Sequence, residues 1–204
     1  MATILTVSAS PSASSKTAHT RRLIDGHLER LGHTVHALDV RDLPPAALLS
    51  ADAAHPEIAA ALDLFDRADG VVVATPVYKA SYTGLLKTLL DVLPQRALAD
   101  KVVLPLATGG TLAHVLVLDY ALRPVLSALG SSDIVQGYFL LDQAVTLSDG
   151  GASFADDAQD GLRRALDRFT RALEGRTLAA AVATVTAATT AAAATAAAEP
   201  ALVA

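Results

Sequence analysis

The chain has no cysteine and no tryptophan, and aromatic residues make up only 4% of its 204 positions. Without thiols there are no disulfides, no thiolate nucleophile and no zinc–sulfur site. The lack is compatible with a reducing cytoplasm, the expected location. Positive charge is also short: 16 Lys and Arg face 21 Asp and Glu, for a net charge of −5. Nothing in that balance suggests nucleic acid as a partner. The opening Met1-Ala2-Thr3-Ile4-Leu5-Thr6-Val7 has no basic segment and too short an apolar run for a signal peptide. There is no Gly-x-Ser-x-Gly elbow. His19, His27, His33, His36 and His55 have no carboxylate cluster beside them, so no metal site is expected. Asp39, Asp42, Asp63, Asp66 and Asp69 read as solvated.

The length fits one domain with a tail. Residues 1–175 read as the domain and 176–204 as an Ala/Thr-rich low-complexity tail, disordered or loosely helical. The uncharged stretch 177–198 is long enough to span a bilayer. Only Leu178, Val182 and Val185 in it are strongly apolar, and alanine gains little from lipid. No membrane partner is expected.

Short β-rich runs alternate with longer helical stretches. Strands are predicted at Ile4–Val7, Thr34–Leu38, Val71–Thr75, Val102–Ala107 and Ile134–Leu141. Helices are predicted at Lys16–Leu31, Pro56–Arg67, residues 83–93, Leu112–Leu129 and Asp156–Leu173. This alternation argues for an α/β fold with a five-stranded parallel sheet covered on both faces. The doubly wound order 2-1-3-4-5 fits, and it sets the loop after strand one beside the loop after strand three. Leu85, Leu86, Leu89 and Leu90 exceed one helix face, which points to self-assembly.

Three loops at the carboxyl ends of strands carry the chemistry. The first, Ser8-Ala9-Ser10-Pro11-Ser12-Ala13-Ser14-Ser15-Lys16-Thr17, sets hydroxyls ahead of a helix. Free N–H groups and the positive helix end suit an anion, a phosphate monoester above all. A solvated turn with Ser15 or Thr17 as N-cap explains the same residues. Serines stand at Ser10 and Ser15 where a P-loop needs glycine, which argues against a nucleotide triphosphatase. The second loop, Thr75-Pro76-Val77-Tyr78-Lys79, is stiffened by Pro76. In the third, Ala107-Thr108-Gly109-Gly110-Thr111, paired glycines let the backbone approach a planar ligand and offer N–H groups to its carbonyl edge. An ordinary glycine turn is the alternative. His114 lies just beyond and reads first as a structural or surface residue.

Residues 75–91, Thr-Pro-Val-Tyr-Lys-Ala-Ser-Tyr-Thr-Gly-Leu-Leu-Lys-Thr-Leu-Leu-Asp, resemble the ring-contacting segment of the flavodoxin-like NAD(P)H-dependent FMN reductases. The first loop resembles the phosphate-binding turn of that family, except that Ser12 stands where many relatives carry arginine. The resemblance implies a flavodoxin-like fold and an FMN site formed by Ser10, Ser15, Lys16, Thr17, Pro76, Val77, Tyr78, Lys79, Thr108, Gly109 and Gly110. It implies NADPH as hydride donor, with NADH possible, and no protein acid or base as an obligatory catalytic residue. Residues 101–129 look especially like the FMN reductases of two-component alkanesulfonate systems. That branch implies a partner FMN-dependent monooxygenase and a homodimer or homotetramer. It also carries an inserted tyrosine in its long helix beside a subunit interface; Tyr120 is the matching position, to be absorbed as a π-bulge or as a packing aromatic. Few aromatics suit an open flavin face and a weakly held ligand. An FMN-retaining quinone, azo-dye or chromate reductase is the second reading, and a flavodoxin-type electron carrier the third.

Overall fold

The computed structural model describes residues 1–149 and 151–197. Strand β1 (Thr3–Ser8) leads into helix α1 (Lys16–Arg30), then β2 (Thr34–Asp39). Two helices follow, α2 (Pro45–Leu49) and α3 (Pro56–Arg67), each with proline in its first turn, where the missing N–H costs no helical bond. Next come β3 (Gly70–Tyr78), β4 (Ser81–Tyr82), α4 (Gly84–Val92) and β5 (Val102–Gly109). The chain continues through α5 (Arg123–Ala128), β6 (Asp133–Ile134), β7 (Tyr138–Leu141), β8 (Val145–Ser148), β9 (Gly151–Phe154) and α6 (Asp156–Ala197). Helix α6 thus enters the Ala/Thr-rich segment, whose final residues 198–204 lie outside the described residues.

The main sheet runs β2-β1-β3-β5-β6, with β7 pairing further along β5. Counted as five predicted strands, this is the doubly wound order 2-1-3-4-5, all parallel. Successive side chains of a strand face opposite sides, and the core divides accordingly. Leu5, Val7, Val71, Val73 and Val103 pack with Ile58, Phe65, Leu86 and Leu89 on one face. Ile4, Val72, Leu104 and Leu106 pack with Ile24, Leu28, Leu166 and Phe169 on the other. Central strands buried on both faces explain the unbroken Gly70–Ala74 apolar run.

Three expectations need correction. The fifth strand is split: Val103 pairs with Ile134 but Leu106 with Tyr138, so one extra residue bulges out opposite Pro105, which has no N–H to offer the ladder. Gly137 in the bulge lies so close to β5 that a Cβ there would stand 2.7 Å from the Pro105 carbonyl oxygen. The Arg123 guanidinium bridges the break, donating to the carbonyls of Ile134 (2.8 Å) and Val135 (3.2 Å). The predicted helix Leu112–Leu129 is not continuous: a 3-10 turn at Leu112–His114 precedes a π-helical segment at Leu118–Leu122, then α5. The Arg123 N–H reaches five residues back to Leu118, and Pro124 has no N–H with which to continue the α pattern into that segment. Tyr120, inside the π segment, is 79% exposed, so it is not a packing aromatic. Lastly, Leu86, Leu89 and Leu90 are all buried in this chain's own core, which leaves only the half-buried Leu85 of the four facing outward, in a groove with Leu48 and Leu49.

Candidate active site

The first and third loops meet at a buried contact between the Thr17 and Thr108 hydroxyls, 2.6 Å apart. This places the start of α1 over the end of β5. Ser15 caps α1, accepting from the Ala18 N–H at 3.1 Å, so the capping role is filled. Ser10, 2% exposed, accepts from the Ser12 N–H at 3.3 Å and fixes the bend before the helix. The main-chain N–H groups of Ala13, Ser14, Lys16 and Thr17 have no partner among the described residues. They surround a helix N-terminus that carries no acidic residue in its first turn. The Lys16 ammonium donates to the Asp142 carbonyl, leaving two of its three donors free.

The second loop is a hairpin rather than a loose connection. Strand β3 continues through Pro76 and Val77 to Tyr78 and turns back as β4, pairing Val77 with Tyr82 and Tyr78 with Ser81. Beyond Ala74, β3 has no β1 neighbour, and proline is tolerated where a strand lacks a partner. The turn residues Lys79 and Ala80 both have positive φ, 50° and 62°, as a tight two-residue hairpin requires. Their N–H groups are also unpartnered among the described residues. Tyr78 is half exposed beside them.

Thr83 ties the hairpin to the first loop. Its hydroxyl donates to the Ala9 carbonyl at 2.9 Å and accepts from the Leu86 N–H at 3.1 Å, capping α4. Its N–H donates to the Thr75 hydroxyl at 3.2 Å. On β5, Thr108 lies opposite Pro76 and Gly109 opposite Leu141. A Cβ on Gly109 would meet the Phe139 ring at 2.8 Å, whereas one on Gly110 would find only Asp142 Oδ2, at 3.9 Å. The Gly110 backbone therefore borders open space, and the N–H groups of Gly110 and Thr111 are unpartnered among the described residues. All eleven sequence-predicted site positions thus lie along one rim, on three turns joined by the Thr17–Thr108 and Thr83–Ala9 bonds.

Sequence reasoning missed Thr75, Thr83 and Asp142, whose partners are distant in the chain. It also missed the support beneath α1, where Arg21 bonds Asp25 at 2.5 Å and Asp39 at 3.1 Å. Asp25 accepts from the Thr6 hydroxyl at 2.7 Å. Burial raises the Asp25 carboxyl above its ordinary range, although Thr6 and Arg21 pull the other way. Asp39 is therefore a structural ion partner, not a solvated carboxylate. Alternating apolar residues announce strands, but nothing local marks an acid that a helix will cover.

The model of one protein family, NADPH-dependent FMN reductase, matches residues 2–146. The chain belongs to that family. An FMN reductase (NADPH) of Escherichia coli is 43% identical over 173 residues, covering 85% of this chain and 91% of the relative. An NADH-dependent FMN reductase of Pseudomonas fluorescens, SfnF, is 44% identical over 104 residues, 51% of this chain and 55% of the relative. A solved NADH:FMN oxidoreductase superposes with a TM-score of 0.74 at 44% identity, covering 83% of this chain and 88% of that one. The protein is thus an oxidoreductase of the FMN-reducing kind, and its cofactors are FMN with NADPH or NADH. No helix among the described residues is long and apolar enough to cross a membrane.

Proposed function

We propose that the three joined turns hold FMN while NADPH, or NADH, transfers a hydride from its nicotinamide C4 to flavin N5. The observation carrying this reading is the set of unpartnered N–H groups on all three turns, gathered by two hydroxyl contacts. Their chemistry fits the ligand. A phosphate dianion fits the α1 N-terminus, with Ser10, Ser15, Lys16 and Thr17 around it. The hairpin Pro76-Val77-Tyr78-Lys79 fits one side of a flat ring. The turn Thr108-Gly109-Gly110 fits its carbonyl edge, since the space above Gly110 is open.

The bound flavin supplies the hydride-accepting chemistry; the chain supplies position and exclusion of water. No side chain is needed as acid or base. Lys16 offers its remaining donors to the phosphate. Lys79 and Ala80 are pinned by the tight turn, so their N–H groups need no reorganisation when a ligand arrives. Tyr78, exposed at the same turn, lends ring surface without enclosing the ligand. An open face of this kind suits a flavin that leaves after reduction and serves an FMN-dependent monooxygenase, with sulfonate cleavage as the downstream reaction. Leu112, Leu116 and Tyr120 are each more than half exposed at a helical spacing, and this strip is the candidate surface for a homodimer or homotetramer.

Purified protein mixed with NADPH and FMN, followed at the nicotinamide absorbance, tests the reading. Oxidation of NADPH that requires added FMN and saturates with it is the expected outcome. NADPH consumption that ignores added FMN would sink it. Protein that purifies yellow and reduces quinones with no added flavin would replace it with the prosthetic-group reading.

A further inference from the structure

The turn after β7 lies beside two of the site turns, which its first residue, Asp142, meets at Lys16 and at Gly110. Its main-chain carbonyl accepts from the Lys16 ammonium at the first position of α1. Its carboxylate lies beside the third turn: Oδ2 is 3.9 Å from where a Cβ on Gly110 would stand. Asp142 takes part in none of the ion pairs among the described residues. The Gly110 N–H beside it is unpartnered there too. A ligand edge seated over Gly110 therefore meets a main-chain donor together with a carboxylate that forms no ion pair among the described residues.

That combination matters because the reaction changes the ligand's charge. When a hydride, with its electron pair, leaves the nicotinamide for flavin N5, the nicotinamide ring becomes cationic and oxidised. The flavin is reduced and, at neutral pH, gains one negative charge, spread over N1 and the C2 oxygen of its pyrimidine ring. A fixed carboxylate near that ring opposes the added charge and leaves the neutral oxidised ring nearly untouched. Charges several ångströms apart at a half-exposed rim still interact appreciably.

We propose that Asp142 makes the site discriminate between the two redox states of the flavin, holding oxidised FMN more tightly than reduced FMN. The proposal rests on the reading of Thr108–Gly110 as the seat of the pyrimidine edge. Lys16 contributes with the opposite sign, because its ammonium is anchored on the carbonyl of the same residue. Both residues act on the difference between the two states without approaching N5. The sequence offered no sign of this, since Asp142 reaches Lys16 and Gly110 only through the pairing of β7 with β5.

The test uses the full chain and two equilibrium readouts. Oxidised FMN is titrated by its fluorescence, and the midpoint potential of bound FMN is measured anaerobically against a reference dye. Together they give the ratio of the dissociation constants for reduced and oxidised flavin. In D142N that ratio should fall about tenfold, a rise of about 30 mV for a two-electron couple, while D142E keeps the wild-type ratio. K16Q should weaken both states, the reduced one more. A D142N ratio within about twofold of wild type overturns the proposal, and so does equal weakening of both states, which marks Asp142 as a support for the turn only. If the wild-type chain binds no FMN at all, the site reading fails and takes this proposal with it.

Discussion

At the amino-terminal end of the sheet the chain bonds to itself; at the carboxyl end the same strands leave their turns unpaired. Asp69 shows the first behaviour. Its carboxylate accepts from the Thr3 N–H at 2.7 Å, its N–H donates to the Thr3 carbonyl at 2.8 Å, and its carbonyl accepts from Val102 at 3.2 Å. Lys101 adds its ammonium to the carbonyls of Asp66 (3.0 Å) and Ala68 (2.8 Å), finishing α3. Burial lowers the Lys101 ammonium below its ordinary range, against the pull of Asp66, Asp69 and Asp100. At the other end, side chains join one turn to another, as Thr17 does with Thr108, while main-chain donors on those turns stay open. Unpaired backbone groups are costly wherever water is excluded, and here they gather along one solvent-facing rim, the rim proposed to take FMN. The closed end is where the fold is secured.

Two glycines, one at the start of β3 and one just past the end of β5, put this contrast to its strongest test. Gly70 begins β3 at the closed end, where a Cβ would lie 2.7 Å from Phe169 Cζ and 2.9 Å from Leu173 Cδ2. Gly70→Ala overpacks that contact and should cost about 1–3 kcal/mol, seen as a fall of several degrees in melting temperature, with FMN affinity unchanged. Gly110→Ala should do the reverse. Its Cβ enters the space assigned to the flavin edge, so the dissociation constant for FMN should rise about tenfold while the melting temperature holds. Equal effects of the two substitutions on both measurements would break the contrast.

Thr83 sharpens the comparison, because it belongs to the rim yet does structural work. Thr83→Ala removes the α4 cap and the bond to Ala9 together, for a loss of about 1 kcal/mol, or roughly 2–4 °C in a chain of this size. The hairpin and the first loop should then separate, and FMN affinity should fall by a smaller factor than in Gly110→Ala. A stability loss with unchanged FMN binding would show that the cap matters and the link does not.

How much of this could be read from the sequence follows from the range of the forces involved. The alternation of Val71-Val72-Val73 with flanking helices was enough for the sheet and its order, since burial on both faces selects such runs. The turns at 8–17, 76–79 and 107–111 were visible because serine, proline and glycine act through their own backbone angles. Their bonds to Asp142 and Thr83 were not, nor was the Arg21–Asp25 support beneath α1, because hydroxyl and carboxylate partners at a separation such as that of Lys16 from Asp142 leave no local pattern. The π segment at Leu118–Leu122 was anticipated only through a resemblance. Composition alone gave a continuous helix, because leucine and alanine favour α geometry and only Pro124, with no N–H to donate back into the segment, hints locally at a break. The apolar face of α4 misled for a related reason: a helix touching the sheet on one side and α2 on another buries more than one stripe.

The smallest effect concerns pH and returns to the closed end. His33, between α1 and β2, has its Nδ1 buried without a partner. Burial, with the nearby amino terminus, lowers its pKa from the ordinary value, although Glu174 and the Ala2 main chain act in the opposite sense. The folded state therefore favours the neutral imidazole, and the unfolded chain takes up a proton first as the solution is acidified. The stability contributed is complete above the unfolded pKa of about 6.5 and is lost as pH falls through the lower folded value. Denaturant melts at a series of pH values should show that decline in the wild type and a shallower one in His33→Gln. Some slope should persist in the variant, because burial also lowers His19. FMN affinity, set at the other end of the sheet, should differ little between wild type and variant at any pH. If His33→Gln changes flavin binding as much as stability, the two ends of the sheet are not independent, and the division of labour between them is wrong.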